Sequence, residues 1–307
     1  MDRIVVIGTG TMADGIGAGF IDAGAAVVFL GRSAEKAGLA LARAVQIAQS
    51  MNPTAASSAA RHEAGSIEGW NDWAGVTWVI ETVAEDFELK RELFAALDAR
   101  VPAGIPIGSN SSGFPISRIA QGLASRQRMF NAHYFMPAHL VPLVEVVLGE
   151  DSDPLLGEAV CELYRRSGKR PVLVRKDIPG FLANRIQHAL MREALSLIDS
   201  GIASAADVDT AVRYSFGFRY AAAGPVLQKE ISGWDSMARA AVEIYPSLSN
   251  SATLADCVAE RIAAGKTGMK AGAGFMEWPA DKAAAERAAY EKRLKASFAV
   301  LNMGAES

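Results

Sequence analysis

The chain has 307 residues, half of them hydrophobic and 21% charged, with 31 Lys and Arg against 34 Asp and Glu for a formal net charge of −3. That length accommodates two domains around a large core, and that hydrophobic content excludes a disordered polymer. The near-neutral balance, with no run of Lys and Arg, argues against nucleic acid or an anionic membrane as partner, and no apolar run approaches the ~20 residues that span a bilayer.

Cys161 and Cys257 lie far apart and form no CxxC pair, so they read as reduced thiols of a cytoplasmic protein, and no metal site is expected. A glycine loop stands where a signal peptide would carry its cleavage site. Ile4 to Ile7 is a short β-branched run that predicts a buried parallel strand. It leads directly into Gly8-Thr9-Gly10-Thr11-Met12-Ala13, after which Ile16, Phe20 and Ile21 recur at helical spacing. This is G-x-G-x-x-A at a strand-to-helix turn, the context in which the pattern signals a dinucleotide. Gly8 permits the tight turn, Gly10 admits a pyrophosphate close to the backbone, Ala13 lets helix and strand approach, and Thr11 and Met12 open the helix on which the anion sits. A second strand, Ala26 to Leu30, ends in Gly31-Arg32-Ser33 rather than in an acid that would bind the adenosine ribose. Arg32 and Ser33 suit a 2′-phosphate, which favours NADP over NAD; Ser33 is equally placed to cap the helix starting at Ala34.

Residues 34 to 50 read as an alanine-rich helix and 51 to 69 as irregular or weakly helical. Val76 to Ile80 predicts a third strand leading into Glu81-Thr82-Val83-Ala84-Glu85-Asp86, followed by an amphipathic helix that carries Lys90. Ile105 to Gly108 predicts a fourth, ending in the polar turn Ser109-Asn110-Ser111-Ser112-Gly113 at the edge where open α/β sheets bind ligands. Strands around 128–133 and 141–148, a helix over 154–167 and a strand over 171–174 complete a doubly wound α/β pattern. His133 follows an apolar run, and Glu145 sits inside Leu143-Val144-Glu145-Val146-Val147. A buried carboxylate needs a partner, and His133 is the nearest candidate; the alternative is a Glu145 on the wet face of an edge strand. After Ile178-Pro179-Gly180 the strand signals stop: Phe181, Leu182, Ile186, Leu190, Leu197 and Ile198 trace a long helix, Ser204 with Asp207 opens another, and the remainder reads as helices.

Taken together these motifs resemble the 3-hydroxyacyl-CoA dehydrogenase family: the glycine loop, Glu81 to Lys90, Ser109 to Ser112, His133-Tyr134-Phe135-Met136-Pro137, Pro142 to Val146, and Lys176 to Arg185, in order from residue 4 to about 275. The resemblance implies a Rossmann-type doubly wound sheet over 1–178 followed by an all-helical C-terminal domain over 179–307 that dimerises. It implies His133 as general base, Glu145 as the carboxylate that orients it, Ser112 and Asn184 as hydrogen-bond partners of the reacting oxygen, and Glu85, Lys90 and Asn110 on the cofactor side. One position departs from the family pattern: Met136 stands on the substrate side where the family has Asn, and a thioether cannot donate a hydrogen bond. Gly217 to Pro225 is similar to the branch containing lambda-crystallin (L-gulonate 3-dehydrogenase) and the carnitine dehydrogenases, which act on small free 3-hydroxy acids; Arg219 would bind such a carboxylate. A CoA enzyme would benefit instead from phosphate-gripping cations, and residues 34 to 69 offer only Lys36, Arg43 and Arg61 against Glu35, Glu63 and Glu68. The expectation is therefore an NAD(P)-dependent dehydrogenase of a small 3-hydroxy acid, with a short-chain L-3-hydroxyacyl-CoA dehydrogenase and a non-catalytic dinucleotide-binding protein as alternatives.

Overall fold

A computed structural model describes residues 2–53 and 62–303. It divides into two compact units, Met1–Arg185 and Ile186–Ser307.

The first unit is an eight-stranded sheet: β1 (Arg3–Ile7), β2 (Ala26–Gly31), β3 (Glu63–Ser66), β4 (Val76–Glu81), β5 (Ile107–Ser109), β6 (Met129–Tyr134), β7 (Leu143–Leu148) and β8 (Arg170–Val174), in the spatial order β3-β2-β1-β4-β5-β6-β7-β8. Every neighbouring pair is parallel except β6 and β7. Alternate side chains of an apolar strand go to opposite faces, so both faces need cover. Ile4 and Val6 join Val27, Phe29 and Ile80 in one core, whereas Val5 and Ile7 join Val28, Leu30 and Val79 in another. The first core is closed by α1 (Thr11–Asp22), α2 (Ala34–Met51) and α5 (Pro154–Arg166), the second by α3 (Phe87–Arg100) and the short α4 (Ile116–Ile119). Small residues let α1 pack closely on α2 and on β2: Ala40, Ala44 and Ala48 are fully buried, and a Cβ on Gly17 would lie 3.5 Å from the Ala44 Cβ and 2.4 Å from the Phe29 ring of β2.

Two expectations are corrected. Within the segment expected to be irregular, residues 63–66 form β3 at the sheet edge; residues 54–61, Arg61 among them, lie outside the described residues. The sequence Glu-Ala-Gly-Ser has no hydrophobic alternation, and it becomes a strand only because β2 offers its backbone edge. Phe181 and Leu182 precede α6 (Ala183–Asp199) rather than opening it, and Phe181 has a left-handed φ of 47°.

In the second unit α6 is followed by α7 (Ala205–Tyr214), α8 (Phe216–Tyr220), α9 (Pro225–Ser232), α10 (Trp234–Ile244), α11 (Asp256–Ala263) and α12 (Ala280–Asn302). Ser204 and Asp207 form a reciprocal capping box at the start of α7, satisfying two orphan donors. Among the described residues of this unit β-pairing is limited to isolated bridges joining Gly268, Ala273 and Glu277. No described helix is long and apolar enough to cross a membrane.

Candidate active site

Because β1, β4, β5 and β6 are parallel, their C-terminal ends share one edge, and a cavity of about 300 Å³ opens there. Its lining brings together Met12, Glu85, Lys90, Asn110, Ser112, His133 and Met136 from four separate stretches of sequence.

The glycine loop reaches this cavity through Met12. Gly8 has φ +131°, and a Cβ there would meet the Thr82 hydroxyl at 2.2 Å, so the position demands glycine both by conformation and by space. A Cβ on Gly10 would touch nothing within 4 Å, which leaves the backbone open to an approaching group. Gly10 caps α1 without any side-chain hydrogen bond, so the first N–H groups of the helix are available to an anion. These features fit a dinucleotide diphosphate.

Beside this loop lies a charged network. Glu81 and Lys90 are fully buried and paired at 2.7 Å, and Glu81 also accepts from Ser109 Oγ at 2.6 Å and from the Val83 N–H at 2.6 Å. Glu85 accepts from Ser111 Oγ at 2.5 Å and from the N–H groups of Ser112 (3.1 Å) and Gly113 (3.0 Å), with Lys90 Nζ 3.4 Å away. Desolvation pushes the Glu85 pKa up, but the Ser111 and Gly113 hydrogen bonds and the Lys90 charge outweigh it and hold the carboxyl below its usual value. The Asn110 side chain accepts from the Tyr134 N–H at 3.0 Å, tying the polar turn after β5 to the end of β6.

The same cavity is lined by the histidine. The antiparallel register of β6 and β7 sets His133 directly across from Glu145, and His133 Nδ1 lies 2.8 Å from Glu145 Oε2. Glu145 is fully buried in a strand flanked on both sides, so it is no wet edge residue. An ionised carboxylate only accepts, so Nδ1 carries the hydrogen and the lone pair of a neutral ring is on Nε2. The other oxygen, Oε1, accepts the N–H groups of Leu182 (3.0 Å) and Ala183 (2.7 Å) at the start of α6, where the helix dipole favours negative charge. Phe135 and Phe181 pack on the imidazole, with ring centroids 4.6 and 5.6 Å away. Behind Met136 and Pro137, buried Lys169 donates to the carbonyls of Ala138 (2.6 Å) and Val141 (2.9 Å), and burial lowers its pKa to about 8.

Other residues named from sequence lie outside the cavity lining. Arg32 is exposed just after β2, and Ser33 caps α2, accepting from the Lys36 N–H at 3.3 Å. Asn184 sits in the first turn of α6, next to the Ala183 N–H that binds Glu145. Arg219 belongs to the second unit, where it lines a cavity with Gln228 and Lys229. Sequence reasoning assigned no role to Glu81, Thr82 or Phe181. The signal for Glu81 was available: a lone acid ending an apolar strand, nine residues before a lysine on the next helix.

Residues 3–178 match the model of the 3-hydroxyacyl-CoA dehydrogenase NAD-binding domain, and residues 180–278 match that of the 3-hydroxyacyl-CoA dehydrogenase C-terminal domain. The chain belongs to the 3-hydroxyacyl-CoA dehydrogenase family. Within this family it is 29% identical over 306 residues to 5-formyl-3-hydroxy-2-methylpyridine 4-carboxylate 5-dehydrogenase of Mesorhizobium japonicum, covering 97% of this chain and 98% of that protein. A crystal structure of an enzyme of that name, described as an NAD+ dependent dismutase, superposes with a TM-score of 0.89 at 28% identity, covering 98% of this chain and 99% of the other. L-carnitine dehydrogenase of Streptomyces griseus is 37% identical over 178 residues, 58% of this chain and 53% of that protein, so this chain matches only about half the length of that relative.

Proposed function

We propose that this chain is a dehydrogenase that interconverts a small 3-hydroxy carboxylic acid and its 3-oxo form, with a nicotinamide dinucleotide as hydride acceptor. The observation that carries the reading is the buried His133–Glu145 pair, 2.8 Å apart, with His133 lining a cavity that Met12 of the glycine loop also lines. When bound, the nicotinamide supplies the hydride chemistry. His133 Nε2 takes the hydroxyl proton as the carbon is oxidised, and Glu145 stabilises the imidazolium that forms. Ser112 and Asn184 hold the reacting oxygen, while Glu85, Lys90 and Asn110 serve the cofactor side. Met136, 65% exposed, offers that oxygen no hydrogen bond, and this favours a substrate that brings its own polar anchor. A free carboxylate is such an anchor, with Arg219 as its cation.

The full-length relative favours a second substrate class, an aromatic acid bearing an aldehyde, whose hydrate offers the same hydroxyl to a base. Cofactor preference follows Gly31-Arg32-Ser33: an exposed guanidinium where an acid would exclude a 2′-phosphate supports NADP. A homodimer formed through the second unit is part of the proposal, supported by large apolar side chains exposed there, Ile202, Phe218 and Val242 among them. The test crosses NAD and NADP with free 3-hydroxy acids, an aromatic formyl acid and 3-hydroxybutyryl-CoA. Turnover of free acids that loses affinity for the acid in Arg219→Ala supports the reading. Turnover of the thioester alone sinks it, and cofactor binding with no turnover of any substrate points to a non-catalytic protein. Equal efficiency with both cofactors after Arg32→Ala, starting from a native preference for NADP, supports the 2′-phosphate contact; a native preference for NAD removes it.

A further inference from the structure

Asp14 is an unexpected residue in a helix turn built to receive phosphate. It lies in the first turn of α1, is 7% exposed, and places a negative charge one turn from the N–H groups that a dinucleotide diphosphate would meet. Its charge is met from α2. Arg43 Nε donates to Asp14 Oδ2 at 2.7 Å and Arg43 Nη2 to Asp14 Oδ1 at 3.0 Å, a two-pronged pair. The same Nη2 also donates to the Thr9 carbonyl at 3.0 Å.

That third contact links the pair to the loop. Thr9 stands between Gly8 and Gly10, and the planar peptide that carries the Thr9 carbonyl carries the Gly10 N–H on its opposite side. Fixing the carbonyl from the α2 side therefore fixes the direction of the Gly10 N–H on the side left open for the cofactor. This peptide turns about ψ of Thr9 and φ of Gly10, and the glycine on its C-terminal side leaves it room to rotate in the absence of such a contact.

We propose that Arg43 is a positioning residue for the cofactor: braced on Asp14, it orients the Thr9–Gly10 peptide and cancels the charge that Asp14 would otherwise direct at the diphosphate. Arg43 then acts on the half of the cofactor common to NAD and NADP, in contrast to Arg32. The inference rests on reading the glycine loop as a dinucleotide site.

The experiment titrates the full-length chain with NADH and NADPH, following cofactor fluorescence, alongside steady-state kinetics and thermal unfolding. Arg43→Gln is expected to weaken both cofactors by about tenfold while leaving kcat at saturating cofactor within about twofold. Arg43→Lys, which keeps the charge but not the planar fork, is expected to fall between wild type and Arg43→Gln. The deciding variant is Asp14→Asn combined with Arg43→Gln. With the carboxylate charge gone it should bind cofactor more tightly than Arg43→Gln alone, whereas a merely structural brace would leave the double variant no better. Unchanged affinity in Arg43→Gln and Arg43→Lys, a loss confined to NADPH, or no recovery in the double variant each overturns the proposal. A wild-type chain that binds neither cofactor fails the dinucleotide reading itself, which separates the two outcomes. Should Arg43→Gln not fold, Arg43→Lys against Asp14→Asn,Arg43→Lys carries the same comparison.

Discussion

The two sides of the cavity hold charge by different means. On the cofactor side charge is answered by charge: Glu81 has Lys90 at 2.7 Å, and Glu85 has the same lysine at 3.4 Å. On the proton side charge is answered by dipoles: Glu145 is held by two backbone N–H groups and an imidazole, and Lys169 by two carbonyls. Among the described residues no Lys or Arg pairs with Glu145. A permanent cation beside Glu145 would repel a proton arriving on His133, whereas peptide dipoles stabilise the carboxylate without occupying that role. Under the proposed function, the cofactor side would keep its charges constant and the proton side would let one charge come and go.

The largest test of this contrast is chemical. His133→Ala, and Glu145→Gln with the opposite failure of tautomer, should each lower kcat by about 10²–10⁴-fold, with cofactor affinity nearly unchanged in fluorescence titration. A comparable loss of cofactor affinity would show that the two sides are not separable. Next comes the buried ion pair. Lys90→Met leaves Glu81 without its cation and should cost about 3–5 kcal/mol in denaturant unfolding, much of it recovered in the Glu81→Gln,Lys90→Met double variant.

Lys169 provides a pH test of the dipole side. Its folded pKa of about 8 lies below the ordinary 10.5, so the unfolded chain binds the extra proton between these values and stability rises with pH across that window. The rise should amount to about 3 kcal/mol at most and vanish in Lys169→Met. Glu85 gives the smallest effect and the opposite limb. Its lowered pKa contributes stability above the ordinary 4.5 that is lost as pH falls below it, so Glu85→Gln should flatten acid unfolding there only slightly, because its side chain is 42% exposed.

The strands of the first unit were legible wherever a fully apolar run met a turn, as from Ile4 to Gly8, because burial on both faces leaves no other pattern. The residues offered the His133–Glu145 pair as one of two readings, since an acid inside an apolar strand is costly to bury unpaired, and the family resemblance decided for it. β3 was not legible: its four small or polar residues are strand only by virtue of β2. Phe181 was misread for the converse reason. Its apolar character fits helical spacing with Ile186, and nothing in the residue type announces a left-handed φ. The Arg43 contact was equally hidden, since a cation on a helix reads as solvated until α1 and α2 are packed.

The pairing of His133 with Glu145 across antiparallel strands has a further consequence for how the sheet is assembled. Side chains alternate along a strand, so a one-residue slip of β7 against β6 would move Glu145 off the imidazole and turn its apolar neighbours to the wrong faces. A mispaired sheet would therefore bury a carboxylate with no donor opposite it, so the contact between His133 and Glu145 favours the one register in which the two side chains meet.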